Sequence, residues 1–256
     1  MKERKIILIT AAVVGLMGQA TAAGEKEKTK PLKPHQYSEF WQPKVPVVEA
    51  LKAGQPPSDA IVLFDGSDLS AWQSSKGGQA QWTVNTDGSM TVKPRSGAIE
   101  TKQKYCDVQL HIEWKSPPKA VGKSGQQLGN SGIFMQGLYE MQILDSYQNE
   151  TYSNGQAASI YKQHIPLANA TRPTGQWNEY DIIYTAPRFN KKGQVTSPAR
   201  FTAMHNGILV LHNVELQGPT VYVGTAHYDK AHGCEPIKLQ DHRDPVSFRN
   251  IWLREL

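Results

Sequence analysis

The chain has 256 residues, 39% hydrophobic and 9% aromatic, two cysteines and a formal charge of +5. That composition supports a packed core and is not that of a disordered chain. The small charge, with basic residues scattered among acidic ones, gives no basis for nucleic-acid binding.

The chain opens with Lys2-Glu3-Arg4-Lys5, an apolar run from Ile6 to Met17 and small residues ending at Ala23. This order predicts a secretory signal peptide over 1–23, hence a periplasmic or secreted protein. The apolar run is shorter than the roughly 20 residues that cross a bilayer, and no later stretch comes close, so no membrane span is expected. No cysteine marks a lipidation site.

Residues 24–58 carry Pro31, Pro34, Pro43, Pro46, Pro56 and Pro57, a spacing that opposes both helix and central strand. They read as an N-terminal arm, with Trp41, Val47 and Val48 apolar enough to rest on a domain that occupies 59–256.

From Ile61 onward short alternating runs are broken by turn residues. Residues 81–85 and 90–93 flank Thr86-Asp87-Gly88-Ser89, and 199–205 and 208–214 flank Asn206-Gly207, so both pairs predict hairpins. Between them Val108, Leu110, Ile112 and Trp114 alternate with Gln109, His111, Glu113 and Lys115, predicting one buried face and one wet face. Residues 177–185 and 246–253 read as further strands. About a dozen strands without a helical stretch predict an all-β, two-sheet jelly-roll sandwich. Residues 147–176 interrupt this rhythm, and with Tyr147, Tyr152, Ile160 and Tyr161 as apolar anchors they read as an ordered binding loop. The lone pair Cys106 and Cys234 reads as one bridge or two buried thiols, because it lacks metal or redox spacing.

Two stretches concentrate chemistry. In Tyr139-Glu140-Met141-Gln142-Ile143-Leu144-Asp145, Met141 and Ile143 mark the core side, which puts Glu140 and Gln142 together on the opposite face. Asp145, five positions on, would point away about 16 Å from Glu140 unless a bulge at Leu144 turned it, whereas retaining glycosidases need carboxyls about 5 to 5.5 Å apart. Otherwise Glu140 is a solvated strand residue and Asp145 a loop cap. The second stretch, Leu239-Gln240-Asp241-His242-Arg243-Asp244-Pro245, offers His242 as a general base beside Asp241; alternatively the acids serve turn amides and His242 packs on the last strand. His111, His205 and His212 read as solvated or structural. No histidine pair has metal spacing and no calcium loop is legible, so no cofactor is assigned, and a structural or catalytic Ca²⁺ is left open. Sugar recognition needs aromatic faces and amides, and Asn130, Gln142, Tyr147, Tyr161, Gln163 and Gln240 are the candidates.

Leu63-Phe64-Asp65-Gly66, Asn130-Ser131-Gly132-Ile133, the strand from Tyr139 to Ser146, Trp177-Asn178, His205-Asn206-Gly207, Lys238 to His242 and Phe248-Arg249-Asn250-Ile251-Trp252 together resemble the 3-keto-disaccharide hydrolase family. The similarity runs in order from about residue 60 to the end. The resemblance implies a concanavalin A-like lectin and glucanase sandwich, a di- or oligosaccharide substrate whose sugar is oxidised at C3, and a functional link to the sugar 3-oxidoreductase that installs the ketone.

A C3 ketone acidifies the C2 hydrogen, so one base suffices for elimination. His242 supported by Asp241, or else Glu140, would remove that proton while Asn130, Gln142 or a bound cation holds the O3 charge. A noncatalytic lectin-like module and a two-carboxylate glycosidase are the rival readings.

Overall fold

The computed structural model describes residues 32–49 and 55–256. The expected signal peptide lies outside the described residues, as do residues 24–31 and 50–54 of the arm. The chain divides into two units, 1–46 and 47–256. The described part of the first holds a 3₁₀ turn at Pro34–Ser38, which Pro34 can start because a first-turn residue needs no amide hydrogen. At the start of the second unit Val47 is 93% exposed and Val48 is half-buried.

The second unit is a β-sandwich of fifteen short strands: β1 (Ile61–Phe64), β2 (Trp72–Ser74), β3 (Thr83–Val84), β4 (Met90–Thr91), β5 (Ile99–Thr101), β6 (Val108–Lys115), β7 (Ser131–Met135), β8 (Tyr139–Ile143), β9 (Trp177–Thr185), β10 (Arg188–Phe189), β11 (Val195–Ser197), β12 (Arg200–His205), β13 (Ile208–Glu215), β14 (Lys238–Leu239) and β15 (Ser247–Glu255). Eight form one antiparallel sheet in the order β13-β12-β9-β6-β15-β4-β3, with β1 also on β15. Five form the other in the order β2-β5-β14-β7-β8, and β10 pairs with β11 alone. Both expected hairpins form, β3 with β4 and β12 with β13. The second turns on Asn206 and Gly207 at φ 54° and 77°, a left-handed pair that asparagine and glycine tolerate best.

Alternation decides which side chains meet between the sheets. Val108, Leu110, Ile112 and Trp114 of β6 are buried, as are Ile133 and Met135 of β7 and Tyr139, Met141 and Ile143 of β8. Each fully buried large apolar side chain contributes about 1.5–3 kcal/mol, so this inner layer dominates stability.

The outer face of β6 departs from the expected pattern. His111 is only 4% exposed: its Nδ1 lies 2.7 Å from Asp181, its other ring nitrogen 3.9 Å from Glu113, and the ring stacks on Trp252 at 5.1 Å. Burial alone would lower the imidazole, but its hydrogen bonds to Asp181 and Glu113, followed by their charges, raise it to about 9. His111 therefore contributes stability that is fully present below its unfolded value near 6.5 and is lost as pH rises through about 9. His111→Ala removes the 2.7 Å partner of Asp181, while Glu113 keeps Arg249 and Asn250, and should cost about 1.5–3 kcal/mol at pH 7 in urea unfolding; an unchanged midpoint would show that the cluster contributes nothing. His205 is also buried, at 0% exposure against Trp114 and Tyr180, and burial holds it neutral with a value of about 3.

Cys106 and Cys234 are joined across 128 residues, which resolves the bridge-or-thiols alternative. The bridge ties the loop preceding β14 to the start of β6. Closing so long a loop restrains the unfolded chain, so replacing both cysteines by serine should lower stability by about 4 kcal/mol. Thermal melts of the double variant check this, and an unshifted Tm contradicts it.

Candidate active site

The five-stranded sheet presents a second face away from the core, and its register assembles the site. Cross-strand pairs Phe134 with Glu140, Gly132 with Gln142, Lys238 with Phe134 and Glu100 with Lys238 place these residues side by side. The edge of β8 is then covered. Gln142 N–H donates to Ser159 O at 2.9 Å, Ala158 N–H to Gln142 O at 2.9 Å and Tyr161 N–H to Glu140 O at 3.2 Å. Residues 147–176 are thus ordered, with Ile160 fully buried and Tyr161 nearly so, whereas Tyr152 remains 43% exposed and Tyr147 half-buried.

These elements enclose a cleft of about 480 Å³. Of the residues singled out from the sequence it gathers Glu140, Asn130, Gln142, Tyr161, Gln240 and His242. Glu140 is on its wall and is not a solvated strand residue, being 5% exposed. Among the described residues its carboxyl has no hydrogen-bond partner, and its oxygen reaches over Gly132, where an added Cβ would sit 2.5 Å away. Burial pushes the Glu140 carboxyl up to about 8, with the Lys238 charge offsetting only part of that. A carboxyl tuned to that range can take and return a proton near neutral pH.

The remaining polar groups divide into structural and available ones. Gln142 donates its amide hydrogens to Asn130 Oδ1 at 3.1 Å, Ser131 O at 3.3 Å and Ile143 O at 2.9 Å. Asn130 in turn donates from Nδ2 to Gln126 O at 2.9 Å. These two amides brace the floor and have little donor capacity left for an O3 charge, contrary to the sequence expectation. Gln240 differs: its carboxamide oxygen is buried without a partner, so this side chain enters the cleft with unused hydrogen-bonding capacity. Tyr161 shares a 2.8 Å hydrogen bond with Tyr152, and burial pushes its phenol well above the usual range. His242 is exposed on the cleft wall.

Four expected residues stand elsewhere. Asp241 accepts from Gly97 N–H at 2.9 Å and Arg243 N–H at 2.8 Å, and no hydrogen bond joins it to His242. It satisfies turn amides and does not orient the imidazole. Asp145, 1% exposed, accepts from Thr174 Oγ1 at 2.6 Å and from Tyr147 N–H at 3.3 Å. Pairing of β7 with β8 is regular from Tyr139 to Ile143, and Asp145 is not among the residues lining the Glu140 cleft. Gln163 clasps the loop, donating to Gly218 O at 3.1 Å and accepting from Gln217 N–H at 2.9 Å. Tyr147 lies under Lys119, 5.9 Å from its ring centre. Among the described residues no three His, Cys, Asp or Glu side chains converge as a metal site.

The sequence reading missed Phe134, Thr220, Tyr222 and the role of Gly132. No pattern in the sequence marked the two loop residues, because which strand edge they cross is set by the fold.

Residues 59–254 match the model of the family described as 3-keto-alpha-glucoside-1,2-lyase-like domain. Among solved structures, a candidate glycosyl hydrolase of Parabacteroides distasonis ATCC 8503 is 53% identical, with a TM-score of 0.81, covering 87% of this chain and 96% of its own. A second candidate glycosyl hydrolase of that organism, 21% identical with a TM-score of 0.58, shares the fold over 77% of this chain and 94% of its own. Among curated proteins nothing matches.

Proposed function

Because this chain belongs to the family of 3-keto-alpha-glucoside-1,2-lyase-like domains, we propose that it cleaves the glycosidic bond of a 3-keto-disaccharide or 3-keto-glycoside by elimination and hydration, with Glu140 as the base. The observation that carries this reading is that Glu140 is the one carboxylate among the described residues lining the cleft. A two-carboxylate displacement would need a partner about 5 to 9.5 Å away.

Glu140 removes the C2 proton, and the electron pair forms the C2=C3 enolate with negative charge on O3. That charge is held by a hydrogen bond from Gln240 Nε2–H or from the remaining hydroxyl hydrogen of the Tyr161–Tyr152 pair. Collapse of the enolate restores the C3 carbonyl, forms C1=C2 and expels the C1 oxygen substituent, which His242 protonates. Water then adds at C1, giving its proton to His242, while Glu140 returns the proton to C2, which yields the free 3-keto sugar. The enzyme that supplies such a substrate is an oxidoreductase acting at the C3 hydroxyl. A cleaved leader and an exported location agree with the first 23 residues and with the Cys106–Cys234 bridge.

Incubation of the mature protein with a 3-keto disaccharide and with its unoxidised parent tests the substrate class. Only the keto sugar should be cleaved. Equal cleavage of the parent, or binding of both without cleavage, would overturn the proposal.

A further inference from the structure

Residues 219–222 run across the edge of β8, where Thr220 N–H donates to Leu138 O at 2.9 Å and Thr220 Oγ1 accepts from Glu140 N–H at 2.9 Å. Thr220 and Tyr222 line the Glu140 cleft, while Pro219 and Val221 line a neighbouring cleft of about 650 Å³. The segment is a wall between two clefts, and Tyr222 stands on the reactive side.

Tyr222 is 76% exposed, yet it is held in place. Lys162 Nζ donates to Tyr222 O at 2.6 Å and lies 4.4 Å from the centre of its ring. A cation thus engages one ring face and fixes the backbone beneath it, and the ring remains largely open to solvent. An open aromatic face suits the apolar C–H side of a pyranose or another flat ring. Lys162 joins this ring to the cleft interior, since its Nζ also lies 5.5 Å from the centre of the Tyr161 ring.

Resting on the reading of Glu140 as the base, we propose that Tyr222 is the platform for the leaving group, and that the leaving group is a six-membered ring. The buried Glu140 requires the reacting sugar at the cleft floor. The group expelled from C1 departs toward solvent, and Tyr222, 76% exposed against 43% for Tyr152, is the most open of the cleft's Phe and Tyr rings. Tyr222 is thereby a specificity residue that contacts the departing ring without touching the reacting carbons.

The test compares two substrates with the same reacting ring, a 3-keto disaccharide and the corresponding methyl 3-keto-glycoside. Tyr222→Ala should raise KM for the disaccharide about tenfold more than for the methyl glycoside, with kcat for the two changing in parallel; about 1.4 kcal/mol of stacking corresponds to that factor. Tyr222→Phe should keep the wild-type ratio, and Lys162→Met should fall between. Equal KM changes on both substrates, or none on either, would overturn the proposal. Saturation-transfer NMR with the unoxidised disaccharide separates it from the catalytic reading. If the wild-type protein turns over neither keto sugar but saturates the leaving ring preferentially, and Tyr222→Ala abolishes the preference, the platform stands without the elimination chemistry. Uniform saturation of both rings in both proteins refutes the platform itself.

Discussion

Glu140→Gln is expected to reduce turnover of a 3-keto glycoside by about 10²–10⁴-fold, the usual worth of a positioned general base. The amide fills nearly the same volume and cannot accept the C2 proton. Because burial raises the Glu140 carboxyl from 4.5 to about 8, the wild-type rate should climb with pH and level off above about 8. The same displacement predicts the stability effect. A carboxyl raised in the folded state favours folding while protonated, below about 4.5, and that advantage is lost as pH rises through about 8. Glu140→Gln removes the penalty of a buried charge, so the variant should be as stable as wild type at pH 4 and more stable at pH 9, by on the order of 3–5 kcal/mol. Urea unfolding at the two pH values checks this, with kcat/KM over pH 5–10 checking the rate. A variant that is inactive but shows no pH-dependent gain in stability would mean that Glu140 is already charged in the resting protein.

Gly132→Ala should disable the site with little harm to the fold. The added methyl carbon would stand 2.5 Å from Glu140 Oε1, 3.1 Å from its Cδ and 3.0 Å from Phe134 Cε2. All three atoms lie toward the ends of side chains, so the strand can accept alanine while the carboxyl and the ring move aside. A misplacement of about 1 Å in a reacting group costs about 10²-fold, and that is the expected loss in kcat. Overpacking by one methyl carries a stability cost of about 1–3 kcal/mol. Kinetics with a thermal melt separate the two effects; a folded variant with wild-type kcat would show that the Glu140 position above Gly132 is not the reactive one.

Much of this was legible before the fold was seen, because it depends on period and turn chemistry. Val108, Leu110, Ile112 and Trp114 announced a buried face, Asn206-Gly207 announced a hairpin, and Met141 with Ile143 placed Glu140 and Gln142 together on the other side of β8. What the sequence concealed is set by partners distant along the chain. His111 falls on the nominally wet face of β6, but Asp181 of β9 and Trp252 of β15 bury it. Glu140 is a strand residue whose burial comes from residues 158–161 and 219–222, which lie beside it only once the sandwich closes. Asp241 neighbours His242 in sequence, yet its carboxylate is engaged by Gly97, 144 positions away. Asn130 and Gln142 carry the right atoms for sugar recognition, but Gln142 spends its donors on Asn130 Oδ1 and backbone carbonyls, and Asn130 spends its own on Gln126. Residue type announced polarity in these cases, and only the register showed which polar groups remain free.

The most direct test of Glu140 as the base of an elimination is proton NMR of a 3-keto disaccharide turned over in D₂O, with Glu140→Gln alongside. The expected result is product carrying deuterium at C2 with the wild-type protein, and neither exchange nor cleavage with the variant. Cleavage that leaves C2 fully protonated would contradict it and point to direct displacement at C1.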